Sequence, residues 1–414
     1  MRVPWLGILL TVIVAASTPE IGFGWEVRAD LPESRTGGAM VSDGKRLYYI
    51  GGNREVGKIF QGSDTVWAYN ANRDKWITRL EEMPERLGNI DAVLFSGKIY
   101  IPGGFQEANS QSLLWSSTLH IYDIANDEWM TGAESPSGPS DLRLFPYQMA
   151  LVDDVFYLTG DHDDGDEVYA YDIPNDKWSL HSVLDLPRLS AHLWAADGKL
   201  YLAGGNVLPI HDDSEPFSHA VVSTVMYDFE EGEWRDSAME DLPEKLDGGA
   251  NAVTYSSRGP MLWILGGGDG TGKKLDVVLV YYPLQDTWEY QTKLPKPLWN
   301  ASAACHNGYL HLAGGADTAS RLSVHWRLPV ESCVPVPIAT TTTTTVSPTT
   351  TTTTTVPDDA DDDDDSDDDT SHDDDNDDVD DDTDTGDTGA LPDDNQDQDS
   401  APDDGDDDDS GCGC

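Results

Sequence analysis

Six basic residues recur along this chain: Arg35, Arg86, Arg143, Arg188, Lys245 and Lys296. Each stands a few positions ahead of a short apolar run. A guanidinium offers paired N–H donors that match a carboxylate, so these residue types suit the holding of acids. Brought to one place, the six make a cationic mouth for an acidic sugar or an acidic protein segment. The competing arrangement pairs them with Glu33, Glu85, Asp141 and Glu244, or leaves them solvated on a rim. Four further residues able to touch a ligand, Arg54, Trp115, His211 and His219, lie in the segments 53–64, 105–117 and 206–222. Those segments read as long irregular loops, which in compact domains are more often functional than decorative. The run DHDDGDE (161–167) offers carboxylates of the kind calcium takes. It lacks the twelfth-position Glu of an EF-hand loop, so a solvated acidic turn is the stronger reading.

The elements that position these residues come from a repeat. YNANRDKW (69–76), YDIANDEW (122–129), YDIPNDKW (171–178), YDFEEGEW (227–234) and YYPLQDTW (281–288) follow one another at steps of 53, 49, 56 and 54 residues. Ahead of each lies an apolar strand ending in glycine: LYYIGG (47–52), IYIPGG (99–104), VFYLTG (155–160), LYLAGG (200–205) and LWILGG (262–267). A sixth, LHLAGG (310–315), has no full octet after it. Another strand precedes each of these. The unit is therefore four short strands, here a to d, bounded by Gly, Pro, Asn and Asp turns. One such sheet cannot bury both its faces. Stacking units face to face does so, and a closed ring removes the exposed ends. The octet reads as the c–d hairpin, with the Trp ring wedged between blades and its N–H on a backbone partner.

Six glycine sites but five octets leave the last unit without strand d, while Trp25 begins a strand with nothing before it. Residues 25–31 are expected to complete the last blade beside Ser323–Arg327. The glycine pair, Tyr, polar turn and Trp in phase over about residues 25–330 resemble the kelch repeat. The implied fold is all-β: a six-bladed kelch-type β-propeller whose last blade is closed by the N-terminal strand. In such proteins ligands meet the face formed by the d–a and b–c connections. The resemblance therefore places the six basic residues, Arg54 and His211 on a binding face, and implies a protein or glycan ligand. Among kelch-like enzymes, galactose oxidase needs a Tyr, His and Tyr–Cys copper site, and only Cys305 beside His306 is available here. The kelch-type N-acetylneuraminate epimerase is the enzymatic alternative, since a basic mouth suits a sugar carboxylate. Fold alone does not choose between binding and catalysis. A binding module without cofactor or metal is the expectation.

The ends of the chain differ from its middle. Residues 1–24 read as a secretory signal, with Arg2 before LGILLTVIVAA (6–16) and small residues at Ala15-Ala16-Ser17. Residues 25–333 form the propeller. Residues 334–357 are a Thr/Pro-rich stalk and 358–414 an Asp-rich tail ending in GCGC. Of the net charge of −52, the 30 aspartates of 358–410 contribute −30, with no Lys or Arg among them. Such a segment repels itself and has little to bury, so it is expected to be disordered, with loose calcium binding as a further possibility. SGCGC resembles the cysteine motif of myxobacterial-type sorting tails, without their hydrophobic helix and Arg cluster. The charge excludes nucleic acid as a partner. The whole reads as an exported monomer at a cell surface, in the extracellular space or in a periplasm. Export permits disulfides. Cys305, near the end of strand a, and Cys333, just past strand c, are expected to pair.

Overall fold

The computed structural model describes residues 24–336, apart from 57–58, 109–112, 137–146, 161–164, 208–218 and 237–238. The leader, the Thr-rich and Asp-rich segments, Arg143, His211 and the first four letters of DHDDGDE lie outside the described residues. Six antiparallel blades follow, each running a-b-c-d from the axis outward. Their inner strands a are Ala39–Ser42, Val93–Phe95, Gln148–Val152, His192–Ala196, Ala250–Ser256 and Trp299–His306. The b strands include Leu47–Ile50, Gly259–Leu265 and Tyr309–Ala316, the last continued by strand c at His325–Pro329. Blade two differs in its long b and c strands, Lys98–Ala108 and Leu113–Asp123. A hairpin from blade one, Arg54–Val56 with Ile59–Gln61, joins that sheet through Phe60 and Ala108.

Both faces of every blade are covered, so strand b is apolar throughout rather than alternating. Leu47, Tyr49 and Ile50 are fully buried. The residue three before the first glycine faces the next blade and is aromatic in five blades: Tyr48, Tyr100, Tyr157, Tyr201 and Trp263. The glycines are required by the neighbour. Gly266 has φ +70°, and a Cβ there would stand 2.3 Å from the Leu298 carbonyl oxygen. The Gly267 N–H donates to that same oxygen at 2.8 Å. Gly52 to Leu87, Gly205 to Leu246 and Gly315 to Arg35 repeat the bond at 2.8–2.9 Å.

The octet closes the outer half of each interface. Its sixth letter is Asp in four blades, held at left-handed φ of 48–56° at Asp74, Asp127, Asp176 and Asp286, a conformation Asp tolerates. Each accepts the hydroxyl of its own blade's tyrosine, as Tyr69 on Asp74 and Tyr281 on Asp286 at 2.6 Å and Tyr122 on Asp127. The same oxygen accepts one backbone N–H from the blade before: Ala29, Glu81, Ala133 or Glu240, at 2.6–2.9 Å. The carbonyl of that same residue accepts the tryptophan indole N–H at 2.9–3.1 Å. Tyr, Asp and Trp thus grip one residue of the preceding blade by both its backbone groups. Blade four has Gly232 in place of Asp, and Trp234 donates instead to the Ser182 hydroxyl at 3.0 Å.

The ring closes as the count of strands requires. Glu26–Val27 pairs with Arg327 and Trp326, and the Leu31 N–H reaches the Ser323 carbonyl at 2.8 Å. Trp25 donates to the Thr292 carbonyl at 3.1 Å, as the missing octet Trp would. Beyond strand c, Ser332 exchanges two backbone hydrogen bonds with Tyr255 of blade five at 2.9 and 3.0 Å. Cys333 is joined to Cys305, Cα to Cα 5.3 Å, across 28 residues. The chain is thereby stapled beneath blades five and six.

Two outcomes follow. Asp286→Ala leaves the Tyr281 hydroxyl and the Glu240 N–H without an acceptor and should cost about 1–3 kcal/mol in urea unfolding. Parent-like unfolding would show the clamp to be idle. Replacing Cys305 and Cys333 together by Ser should cost roughly 3–4 kcal/mol, the chain-entropy value for a loop of this size, read as a lowered denaturation midpoint in non-reducing buffer.

Candidate functional site

The five of these basic residues that are described do not converge on the axis, and the reason is register. Arg35 and Arg188 donate their backbone N–H to Leu322 and Gly165, at 3.0 and 2.9 Å, in the bond that Leu87 and Leu298 make to Ser63 and Leu275. They therefore occupy the inward seat that leucine fills elsewhere, whereas Arg86 and Lys245 stand one position earlier and Lys296 two. Arg35 is 1% exposed, ion-paired with Glu33 at 2.9 Å, bonded to the Ser63 hydroxyl at 3.2 Å and stacked over Trp67. Arg188 is 3% exposed and donates to the carbonyls of Ser223 and Gly204. Its burial lowers the guanidinium pKa to about 10. Arg86 lies on the surface beside Asp64 at 3.1 Å, Lys296 pairs with Asp317 at 3.3 Å, and Lys245 is exposed.

The axial channel, about 230 Å³, is walled by inner-strand residues including Met40, Asp91, Gln148, Trp194, Asn251 and Ser302. Asp91 is the one ionisable side chain in that wall among the described residues. Burial pushes its carboxyl up to about 6, against the pull of the Met149 and Ala92 N–H groups at 2.9 and 2.8 Å. A carboxyl is thus present at the axis, with no cation in the channel wall among the described residues.

Arg35, Arg54 and Arg321 line instead a cleft of about 750 Å³ between blades six and one, on the face of the d–a and b–c connections. Blade one supplies Arg35, Arg54 and Phe60, and blade six supplies Trp299, Asn300 and Arg321. Asn300 also lines the channel, so the two spaces adjoin. Arg321 lies over the Phe60 ring at 4.6 Å and pairs with Glu55 at 2.9 Å. Lys274 sits 3.9 Å above the Trp299 ring. Arg35 and Lys296 are already matched to Glu33 and Asp317. Arg54 is not: it is half-buried, its Nε is sealed from solvent, and that atom meets no acceptor among the described residues. A half-buried guanidinium with an unmatched N–H beside aromatic rings and amides is a seat for a carboxylate.

Of the other loop residues singled out, Trp115 packs on Phe105 at 5.4 Å in blade two, and His219 is exposed on a short strand paired with Val207. Neither reaches the cleft. Sequence reasoning passed over Phe60, Trp299 and Arg321. Trp299 carried a signal: it lies outside the octets, at a lead-in position that is Thr36, Gly88, Leu189 or Asp247 in other blades.

Among the described residues, no group of three or more His, Cys, Asp or Glu side chains is placed to hold a metal ion. Residues 23–205 match the family model described as the KLHDC2/KLHL20/DRC7 Kelch-repeats domain. The chain is 26% identical over 304 residues to "Kelch-like protein terF" of Aspergillus terreus, covering 69% of this chain and 61% of that one. It is 24% identical over 289 residues to "Kelch-like protein 23" of Homo sapiens, covering 68% of this chain and 46% of that one. The chain thus spans less than two thirds of the length of these relatives. A solved structure, "Structure of YjhT", aligns with a TM-score of 0.56 at 14% identity over 73% of this chain and 97% of that one, a likeness of fold.

Since Arg188 sits in a leucine seat, Arg188→Leu should fold with a melting temperature within a few degrees of the parent, an apolar group replacing a buried cation. Failure to fold would show that its carbonyl contacts hold blade four together.

Proposed function

Because this chain is a six-bladed propeller of kelch repeats, we propose that it is a binding module whose cleft between blades six and one takes a carboxylate-bearing segment of a protein partner. The observation that carries this is Arg54. Its Nε–H is withdrawn from water without an acceptor, which is costly, and a ligand carboxylate beside it supplies the missing charge. Phe60 and Trp299 add apolar surface at the same place. The enzymatic alternative, epimerisation of a sugar acid, asks for an acid–base group beside cations. Here the cleft carboxylates Glu33, Glu55 and Asp317 are each taken up in an ion pair, which favours binding over catalysis.

The setting we propose is the outside of a cell. Residues 6–16 have the character of an export signal. The described chain leaves beneath blades five and six, where Cys305 and Cys333 tie it at the far ends of the inner strands. Trp299 and Asn300, in the cleft, begin the strand that Cys305 nearly ends. A module held by its C-terminal segment would therefore turn its cleft away from the support.

The test is fluorescence anisotropy of a Glu/Asp-rich peptide, with an acidic-glycan array in parallel. Arg54→Ala should weaken peptide binding tenfold or more, with binding falling as salt rises. Lys245→Ala, remote from the cleft, should leave it unchanged. Equal affinity in Arg54→Ala and parent overturns the proposal, and binding confined to glycans reassigns the ligand.

A further inference from the structure

The seam between blades six and one is built from different residues than the other interfaces. At the seat that is Tyr48, Tyr100, Tyr157, Tyr201 or Trp263 elsewhere, blade six has His311. On strand c, the partner of the residue before the glycine pair is Val66, Val168, Thr224 or Val278 in other blades and His325 here. Both histidines are buried, at 1% and 0% exposure, in the interface that the N-terminal strand completes.

Their hydrogen bonds fix their protons. The Ala29 carbonyl only accepts, so His325 Nδ1 carries the hydrogen that reaches it at 3.1 Å. His325 Nε2 is then bare and accepts from His311 Nδ1 at 2.8 Å. The relay is His311 to His325 to Ala29. Ala29 is also the residue that Asp74 and Trp76 of blade one clamp, at 2.9 Å each. A proton on each ring makes both facing nitrogens donors and breaks the relay.

The surroundings do not welcome that charge. Tyr69 packs edge-on against His325 with centroids 4.6 Å apart, and Trp76 lies at 5.3 Å. Tyr309 and His306 flank His311 at 6.3 and 5.9 Å. His306 bonds Ser42 of blade one at 2.8 Å, within the influence of Asp43. The nearby charges are Arg28, tied to Tyr69 and Asp74, and Arg327, tied to Glu26 at 2.7 Å. The Ala29 carbonyl and Asp74 favour the charged form of His325, while both arginines oppose it.

We propose that this seam is an acid-sensitive latch, in which proton uptake by His311 and His325 frees the N-terminal strand and opens the ring. Burial first, then the neighbouring cations, hold His325 down to about 4 and His311 to about 2 in the closed ring. Freed side chains titrate near 6.5. Each therefore takes up a proton on opening, so closure is favoured above about pH 6.5 and weakens as pH falls below it, by up to tenfold per pH unit for each histidine.

The experiment is amide hydrogen exchange on the full chain from pH 7.5 to 4.5, corrected for intrinsic rates. Residues 28–31 should lose protection steeply below about pH 6.5, ahead of Gly259–Leu265. That strand reports global unfolding, including the cost of charging His192, which burial holds down to about 3. His311→Tyr with His325→Val, residue types the other blades use, should flatten the response. If the double variant melts below the parent at pH 7.5, His325→Val alone is read the same way. Seam protection that tracks Gly259–Leu265 at every pH overturns the latch, as does an unchanged acid response in the variants.

Discussion

One backbone contact decides how everything else is arranged: the carbonyl oxygen that each blade's lead-in turn presses onto the glycine pair of the blade before. At Gly266 the Leu298 oxygen occupies the place of a side chain, and at Gly267 it takes a hydrogen bond. Because the pair has no Cβ and adopts positive φ, the two backbones meet directly. The contact recurs from blade to blade, including Gly315 on Arg35 across the seam. It fixes where each inner strand starts, and hence which residue of the lead-in points inward and which lies on the rim.

The fold was open to reading because this contact and the clamp leave marks of fixed spacing. Glycine pairs and Tyr–Trp octets recur in phase, and two matching deficits, a first unit with only strand d and a last unit without it, imply closure. Less visible was the part played by Asp74, Asp127, Asp176 and Asp286. They read as turn formers, and they are, but each also carries the hydrogen bonds of its own Tyr and of the preceding blade. That second role joins residues about 45 positions apart. Only the stacked geometry brings those together.

The candidate site was harder to see for a related reason. Basic residues spaced by roughly one blade look equivalent, yet a shift of one position moves a side chain from rim to interior. Arg35 and Arg188 are buried by that shift, while Arg86 and Lys245 are not. Within one segment, nothing but the neighbour's glycine bond marks the difference. Arg54 stood out through its loop, but its companions Arg321 and Trp299 lie over 240 residues away and meet it only because the ring closes.

The cleft and the latch share one interface, and this couples them. Arg54 and Phe60 belong to blade one, Trp299 and Arg321 to blade six, so the cleft exists only while the seam is shut. A ligand that bridges them binds the closed ring and not the open one. By mass action it stabilises closure by RT ln(1 + [L]/Kd), and by reciprocity whatever loosens the seam weakens the ligand by the same factor. The five interfaces with tyrosine or tryptophan in the His311 seat lack this histidine relay. Placing the titratable pair at the interface that also carries the unpartnered arginine lets the ring respond to acid at its binding site while the other blades stay packed.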